Sequence, residues 1–456
     1  MNVARPVCGS TRLLVALVIA VPAARAPARA QQLTFTPDHA DGIYSVGARV
    51  GWTVAVAPGQ TATGTYRYTL KRDGLAVIGT GALDLSSGRA RIETSLDRPG
   101  MLLVEVRPPA GAIGFHGASK AEVGRVLLGA AVAPRQIRPS GHRPPDFDAF
   151  WAAELRRLDS VPPETVVTPG ESGRPDVEFV TIRMNNVGGA HIYGQLARPA
   201  RPGEKGDGVA FPALLILQWA SPPYPLQRQW VTDYAAQGWL ALNVEPHDVP
   251  ADMPQAFYDA LPQLLKDYRL IGRRNRDDSY FLRMYLGDYR AARYLASRPD
   301  WDGKTLVVMG TSMGGQQGFA VAGLDLQVTA LIANVPAACD MLGPLHGRAA
   351  PYPAWDVDQP DVRRTAGYFD AVNFAPRIRA PSLVSMGVID ETTPPAGIWA
   401  AFNELPGRKE AVPLVDSPHN HMATPEEVLP YVRRSAAWLE ALARGGDPLA
   451  PDEGGR

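Results

Sequence analysis

The chain has 456 residues, in which 46 Lys and Arg balance 46 Asp and Glu, with 45% apolar and 20% charged residues. This composition excludes intrinsic disorder and a fibrous fold, leaves no cationic surplus to favour nucleic acid, and allows two or three domains with real cores. The 44 Gly and 43 Pro are scattered between apolar runs without a period, which signals many turns rather than a collagen-like repeat.

Residues 1–30 read as a signal peptide. Arg5 and Arg12 precede the apolar run Leu13 to Ala24, and Ala28-Arg29-Ala30 supplies small residues for cleavage after Ala30. The run is short for a bilayer span, so an uncleaved anchor is the lesser alternative and no stable membrane insertion is expected after cleavage. The expected location is periplasmic or secreted. Cys8 would leave with the signal, so Cys339 would have no partner for an internal disulfide. Its place just after the apolar run Ala330 to Val335 suits a buried structural thiol better than a nucleophile.

Residues 31–133 alternate apolar and polar with a period of two. Val50, Trp52, Val54 and Val56 share one strand face, and Tyr66, Tyr68 and Leu70 share another. Turn signals at Arg72-Asp73-Gly74, Ser86-Ser87-Gly88 and Arg98-Pro99-Gly100 separate further short strands, and about seven strands in about 100 residues predict a small all-β immunoglobulin-like sandwich. Residues 134–145 (PRQIRPSGHRPP) have no apolar period and read as a linker.

A helix is expected from Phe147, with Asp146 as its N-cap, followed by a hairpin pairing Val177 to Met184 with His191 to Arg198. From Ala213 the pattern changes to buried apolar runs, Ala213 to Leu217, Leu240 to Val244, Thr305 to Met309, Ala330 to Ala333, Ser382 to Met386 and Val412 to Val415, with helical patterns between them. Such alternation predicts a mostly parallel sheet covered by helices, one α/β domain over residues 146–445, with 446–456 as a disordered tail.

The segment Gly310-Thr311-Ser312-Met313-Gly314 follows the third of these runs and opens a helical pattern, the context in which G-x-S-x-G marks a nucleophile elbow. There the glycines leave room for a strained turn, and the Met313 N–H lies where an oxyanion would form, at a helix N-terminus. Serine needs a base, and the base needs a carboxylate to orient it. Asp390, in the loop after Ser382 to Met386, fits the acid, with Glu391 as the neighbouring alternative. Only eight His occur, and two of them, His419 and His421, follow the last strand. Neither a dinucleotide-binding motif nor a zinc-like ligand spacing is present, so no cofactor and no metal are expected.

The stretches DFDAFWAAEL at 146–155, Tyr285 to Asp340, YFDAVNFAPRIRAPSLVSMGVIDETTPP at 368–395 and the C-terminal His loop are similar to the acetyl xylan esterase and cephalosporin C deacetylase family of α/β hydrolases. The resemblance spans about Asp146 to Leu442 and implies the α/β-hydrolase fold with a triad of Ser312, His419 and Asp390. It favours His419 over His421 and makes Ala220, on the loop Gln218 to Tyr224, the second backbone donor of the oxyanion hole beside Met313. Three departures stand out. Met313 replaces the family's Gln, His419-Asn420 replaces its H-E pair, and Glu245-Pro246-His247-Asp248 replaces its R-G-Q motif. His247 with Asp248 is expected to serve structural hydrogen bonding, and Trp219 and Tyr224 either line a pocket or pack.

The function implied is a serine esterase that removes acetyl groups from carbohydrate or polysaccharide, with a homo-oligomer left open. The alternatives are an esterase or peptidase of the same fold acting on another substrate, and an inactive sugar-binding protein. Only Pro250 to Asp278 is long enough to form a cap, and its arginines suit a polar surface, so a short acyl group is expected.

Overall fold

The computed structural model describes residues 32–112, 115–200 and 210–450. The signal-peptide reading, and residues 451–456 of the expected tail, lie outside the described residues. Eight strands come first: β1 (Leu33–Pro37), β2 (Ile43–Tyr44), β3 (Val50–Val56), β4 (Tyr66–Arg72), β5 (Ala76–Leu83), β6 (Arg89–Thr94), β7 (Gly100–Arg107) and β8 (Val126–Val132). They form two sheets, ordered β1-β3-β6 and β2-β8-β7-β4-β5. The predicted alternation is why they pack: Val50, Trp52, Val54, Tyr66, Leu70, Leu102, Val104 and Val106 point into one shared core. The next stretch is tied down. The Asn403 amide donates to the carbonyls of Pro134 (2.9 Å) and Ile137 (2.8 Å), and Ser140 donates to Asp340.

Nine further strands make a third sheet: β9 (Val166–Gly170), β10 (Val177–Asn185), β11 (His191–Pro199), β12 (Phe211–Leu217), β13 (Leu240–Val244), β14 (Trp301–Thr311), β15 (Ala330–Asn334), β16 (Ser382–Gly387) and β17 (Lys409–Leu414). Their order is β17-β16-β15-β14-β12-β13-β11-β10-β9. From β13 to β17 the neighbours run parallel, and β9, β10 and β11 close one edge antiparallel. The exposed edge strand β9 was not anticipated: its residues are all exposed and give no burial alternation to read.

The helices are α1 (Phe147–Asp159), α2 (Gln229–Ala236), α3 (Gln255–Asp259), α4 (Gln263–Lys266), α5 (Tyr280–Ser297), α6 (Met313–Leu324), α7 (Pro360–Phe369), α8 (Ala371–Phe374), α9 (Pro395–Glu404) and α10 (Pro425–Ala443). Alternate residues of β12 divide between the two faces of the sheet. Ala213, Leu215 and Leu217 pack with residues of α1, α5, α6 and α9, whereas Leu214 packs with Val231 of α2 and Trp438, Leu439 and Leu442 of α10. Burial of Leu214, Leu215 and Val231, each fully enclosed, contributes about 1.5–3 kcal/mol apiece. The N-cap expectation for Asp146 fails in its chemistry. Asp146 holds the cap position, but its carboxylate makes no cap bond and instead accepts from the Tyr368 hydroxyl and from Arg276 (2.7 Å).

The order of the central strands fixes where a site can lie. From β12 the chain moves to β13 on one side and then crosses back to β14 on the other, so β12 and β14 are neighbours whose following loops diverge. That switch point opens a crevice at the carboxyl ends of the strands. The loop Gln218 to Tyr224 and the turn at Ser312 both leave the sheet there.

Candidate active site

Ser312 directly follows β14 and caps α6 with φ 58° and ψ −118°, a backbone conformation that L-residues avoid. Three bonds hold it: its N–H donates to the Asn334 carbonyl (2.8 Å), and its own carbonyl accepts from the N–H groups of Gln316 (3.1 Å) and Ala337 (2.9 Å). The two flanking glycines are required by contact. A Cβ on Gly310 would lie 2.3 Å from the Gly314 carbonyl, and one on Gly314 would lie 2.2 Å from the Leu217 carbonyl oxygen. Close approach therefore lets the first turn of α6 lie against the end of β12.

His419 comes from the loop after β17. Its Nδ1–H donates to Asp390 Oδ2 at 2.7 Å, which leaves Nε2 to accept from the Ser312 hydroxyl at 3.0 Å. Asp390 follows β16 and has no other freedom. Oδ1 accepts from the N–H groups of Thr392 (2.8 Å) and Thr393 (2.9 Å), and Oδ2 also accepts from the Thr393 hydroxyl (2.8 Å). Ser312, Asp390 and His419 are all buried, at 5, 3 and 4% exposure, so their interactions are little screened by water.

Glu391 and His421 stand apart from this chain of bonds. Glu391 pairs with Arg125 of the sandwich, and His421 is exposed with its ring 5.3 Å from that of His419. Burial of part of its ring, and then the neighbouring His419, push the His421 imidazole below its usual range. Asn420 accepts from the Asn334 side chain (3.1 Å), which joins the His loop to the end of β15. Cys339 is buried, and burial pushes its thiol well up, as befits a structural cysteine.

Met313 is the first residue of α6, so its N–H belongs to the first turn, which lacks intrahelical partners. Ala220 sits half-buried on the loop after β12. That loop is anchored at both ends. The Gln317 amide donates to the Gln218 carbonyl (2.9 Å), the Gln218 amide donates to Asn243, and the Tyr224 hydroxyl donates to Gln218 (2.7 Å). Beside Ala220, the Ser221 carbonyl accepts from His247 Nε2 at 3.0 Å, while His247 Nδ1 accepts from the Tyr280 hydroxyl at 2.9 Å. Asp248 turns the other way and accepts from the His191 N–H (3.0 Å), so it does not orient His247. Burial lowers the His247 imidazole to about 4, which keeps it neutral. Burial also pushes the Glu245 carboxyl well up. Trp219 is 42% exposed, stacks on Tyr224 and meets Trp230 edge-on.

Sequence reasoning missed Thr393, Tyr268 and Tyr352. Thr393 stood in the loop after Asp390, and a hydroxyl three residues past a carboxylate was the available signal. The Tyr268 hydroxyl bonds to Met313 Sδ (3.0 Å) and to the Tyr352 hydroxyl (2.7 Å). Tyr268 comes from the Pro250 to Asp278 stretch, which forms α3, α4 and two 3₁₀ turns. Its partners lie 45 and 84 positions away, a distance no local pattern encodes. Among the described residues, no group of three or more His, Cys, Asp and Glu is placed to hold a metal ion, and no helix is long and apolar enough to cross a membrane.

A serine on a strained strand-to-helix turn, at the end of a central strand in a mostly parallel sheet, defines an α/β hydrolase. The sequence profile of the acetyl xylan esterase (AXE1) family matches residues 135–343 and 354–434. Acetyl esterase Axe7A of Xylanibacter ruminicola (strain ATCC 19189 / DSM 19721 / CIP 105475 / JCM 8958 / 23) is 30% identical over 411 residues, which cover 88% of this chain and 89% of that protein. Among solved structures, the acetyl xylan esterase from Paenibacillus sp. R4 superposes with a TM-score of 0.55 at 24% identity, over 66% of this chain and 98% of that one. Acetyl xylan esterase 1 from Thermoanaerobacterium sp. JW/SL YS485 gives 0.54 at 20% identity, over 66% and 97%. The chain belongs to the acetyl xylan esterase family and is an enzyme, an ester hydrolase of the α/β-hydrolase fold.

The neutral His247 makes a testable demand on stability. Its imidazole falls from an ordinary value of 6.5 to about 4 on folding, so below pH 6.5 the unfolded chain binds the extra proton. Its contribution is complete above about pH 6.5 and is lost as pH falls towards 4, by up to about 3 kcal/mol. The unfolding free energies of the wild type and His247→Gln, measured in urea, should therefore lie closer together at pH 5 than at pH 7. An unchanged difference would mean that His247 does not resist protonation.

Proposed function

We propose that the enzyme is a carbohydrate acetylesterase in which Ser312 is the nucleophile, His419 the general base and acid, and Asp390 the group that orients the imidazole. The carrying observation is the continuous bonding from Asp390 Oδ2 through His419 to Ser312 Oγ, at 2.7 and 3.0 Å. His419 Nε2 takes the hydroxyl proton as Oγ attacks the ester carbonyl. The imidazolium that forms is stabilised by Asp390, and the oxyanion accepts from the backbone N–H groups of Met313 and Ala220. Collapse expels the sugar alcohol with the proton from His419 and leaves an acetyl-enzyme on Ser312. Water activated by the same His419 then releases acetate and restores the serine.

Membership of the acetyl xylan esterase family supports acetylated carbohydrate as the substrate. In this reading residues 1–30 direct export and are removed after Ala30, and the mature enzyme acts in the periplasm or outside the cell. The chain divides into a sandwich over 31–133, a linker over 134–145 and a catalytic domain over 146–445.

Two measurements test it. Ser312→Ala should lower kcat on 4-nitrophenyl acetate by at least about 10³-fold with the fold intact. His419→Ala should behave alike, whereas His421→Ala should retain most activity; the opposite pattern for the two histidines would reverse their roles. The second concerns acyl length. A deep acyl channel gains about 0.8 kcal/mol for each methylene it buries, so a lipase-like pocket would give kcat/KM rising from acetate to octanoate. The expected series is highest for acetyl and falls beyond propionyl, and a rising series would remove the deacetylase assignment while leaving the triad.

A further inference from the structure

The family profile begins at residue 135, after β8, and its two matched stretches leave out residues 344–353. Both unmatched parts meet at the loops that carry Asp390 and His419. Arg125, immediately before β8, reaches both carboxylate oxygens of Glu391, Nη1 to Oε1 at 3.4 Å and Nη2 to Oε2. Two residues on, Leu127 packs with Leu103 and with Ile389, the residue before Asp390. At Gly129 the backbone lies so close that a Cβ would stand 2.5 Å from Val388 Cγ1 and 2.9 Å from Ile389 Cγ2. The His loop is held from the same side: the Lys120 N–H donates to the Met422 carbonyl (3.1 Å), and Gly42 abuts Val415. From the unmatched segment, the Ala349 N–H donates to the Asp73 carbonyl of the sandwich (2.9 Å), and Tyr352 bonds to Tyr268 beside Met313.

Loops after strands are ordinarily the most mobile parts of a site, and a displacement of about 1 Å in a catalytic group can cost about 100-fold in rate. The acid loop 388–391 has His419 and Thr393 on one side. Its other side is covered by the sandwich, at Arg125, Leu127 and Gly129.

We propose that the N-terminal sandwich belongs to the catalytic apparatus, with Arg125 and Gly129 as positioning residues that fix the acid loop against His419. This rests on the triad assigned above. The pair is partly exposed, at 22% for Arg125 and 37% for Glu391, so it adds little to global stability, and its loss should be felt in the loop.

The experiment compares five variants of the full chain, Ser312→Ala among them, on 4-nitrophenyl acetate, with thermal unfolding followed in parallel. Arg125→Ala should lower kcat about 10-fold with KM within about twofold, since a misplaced triad slows chemistry more than binding. Arg125→Lys, which keeps one charged contact, should recover most of that loss. Gly129→Val, which wedges the two layers apart by a different route, should lower kcat likewise. Arg91→Ala removes a comparable ion pair to Asp38 and Glu93 on the far sheet and should leave kcat unchanged. Wild-type kcat in both Arg125→Ala and Gly129→Val would overturn the proposal while an inactive Ser312→Ala left the triad standing. An equal loss in Arg91→Ala would also overturn it, by tracing the effect to general destabilisation of the sandwich. Full activity in Ser312→Ala would overturn triad and positioning together.

Discussion

One backbone conformation organises this molecule: residue 312, a serine, is held at φ 58° where the chain turns from β14 into α6. A non-glycine residue in such a region costs about 1–3 kcal/mol, and it persists only where its surroundings over-determine it. Here they do. The Ser312 amide is committed to Asn334, its carbonyl receives two N–H groups, and every residue of α6 is buried. The same turn explains both flanking glycines, because any side chain at 310 or 314 would collide with backbone rather than with a movable group.

The other functional side chains are arranged around that turn by strand order. The sheet supplies three neighbouring carboxyl ends, β14, β15 and β16, and the edge strand β17 delivers His419 from the side. The edge strand is held by α10, whose Arg434 and Trp438 both bond to Glu410. Asn334 at the end of β15 then reaches Thr311, Asn420 and Ser385, so one buried amide ties the elbow, the His loop and β16 together. The elbow at Ser312 and the loop that carries His419 are thereby fixed to the strand ends.

Much of this was legible in the sequence, and the reason is local. The runs that become the parallel strands are short and apolar, and the G-x-S-x-G elbow, the acid loop and the histidine loop each come after one of them, so the runs together with the elbow motif placed all three at strand ends. The choice between neighbours was not local. Asp390 turns inward to His419 while Glu391 turns outward to an arginine 266 positions earlier, and nothing in the local sequence of the loop encodes that difference. The same holds for Asp146, whose carboxylate leaves its expected cap for Tyr368, 222 positions away. The replaced motif Glu245-Pro246-His247-Asp248 became intelligible only through burial: a neutral His247 bridges Tyr280 to the Ser221 carbonyl and so steadies the loop that carries Ala220.

The central claim is that the strained serine is the reacting atom. It is tested most directly by treating the active enzyme with a fluorophosphonate, which phosphonylates only a serine activated by a base. Intact-mass and peptide analysis should find one adduct, on Ser312, formed in step with loss of activity and absent from His419→Ala. An adduct on another residue, or full activity in protein stoichiometrically labelled at Ser312, would contradict the account.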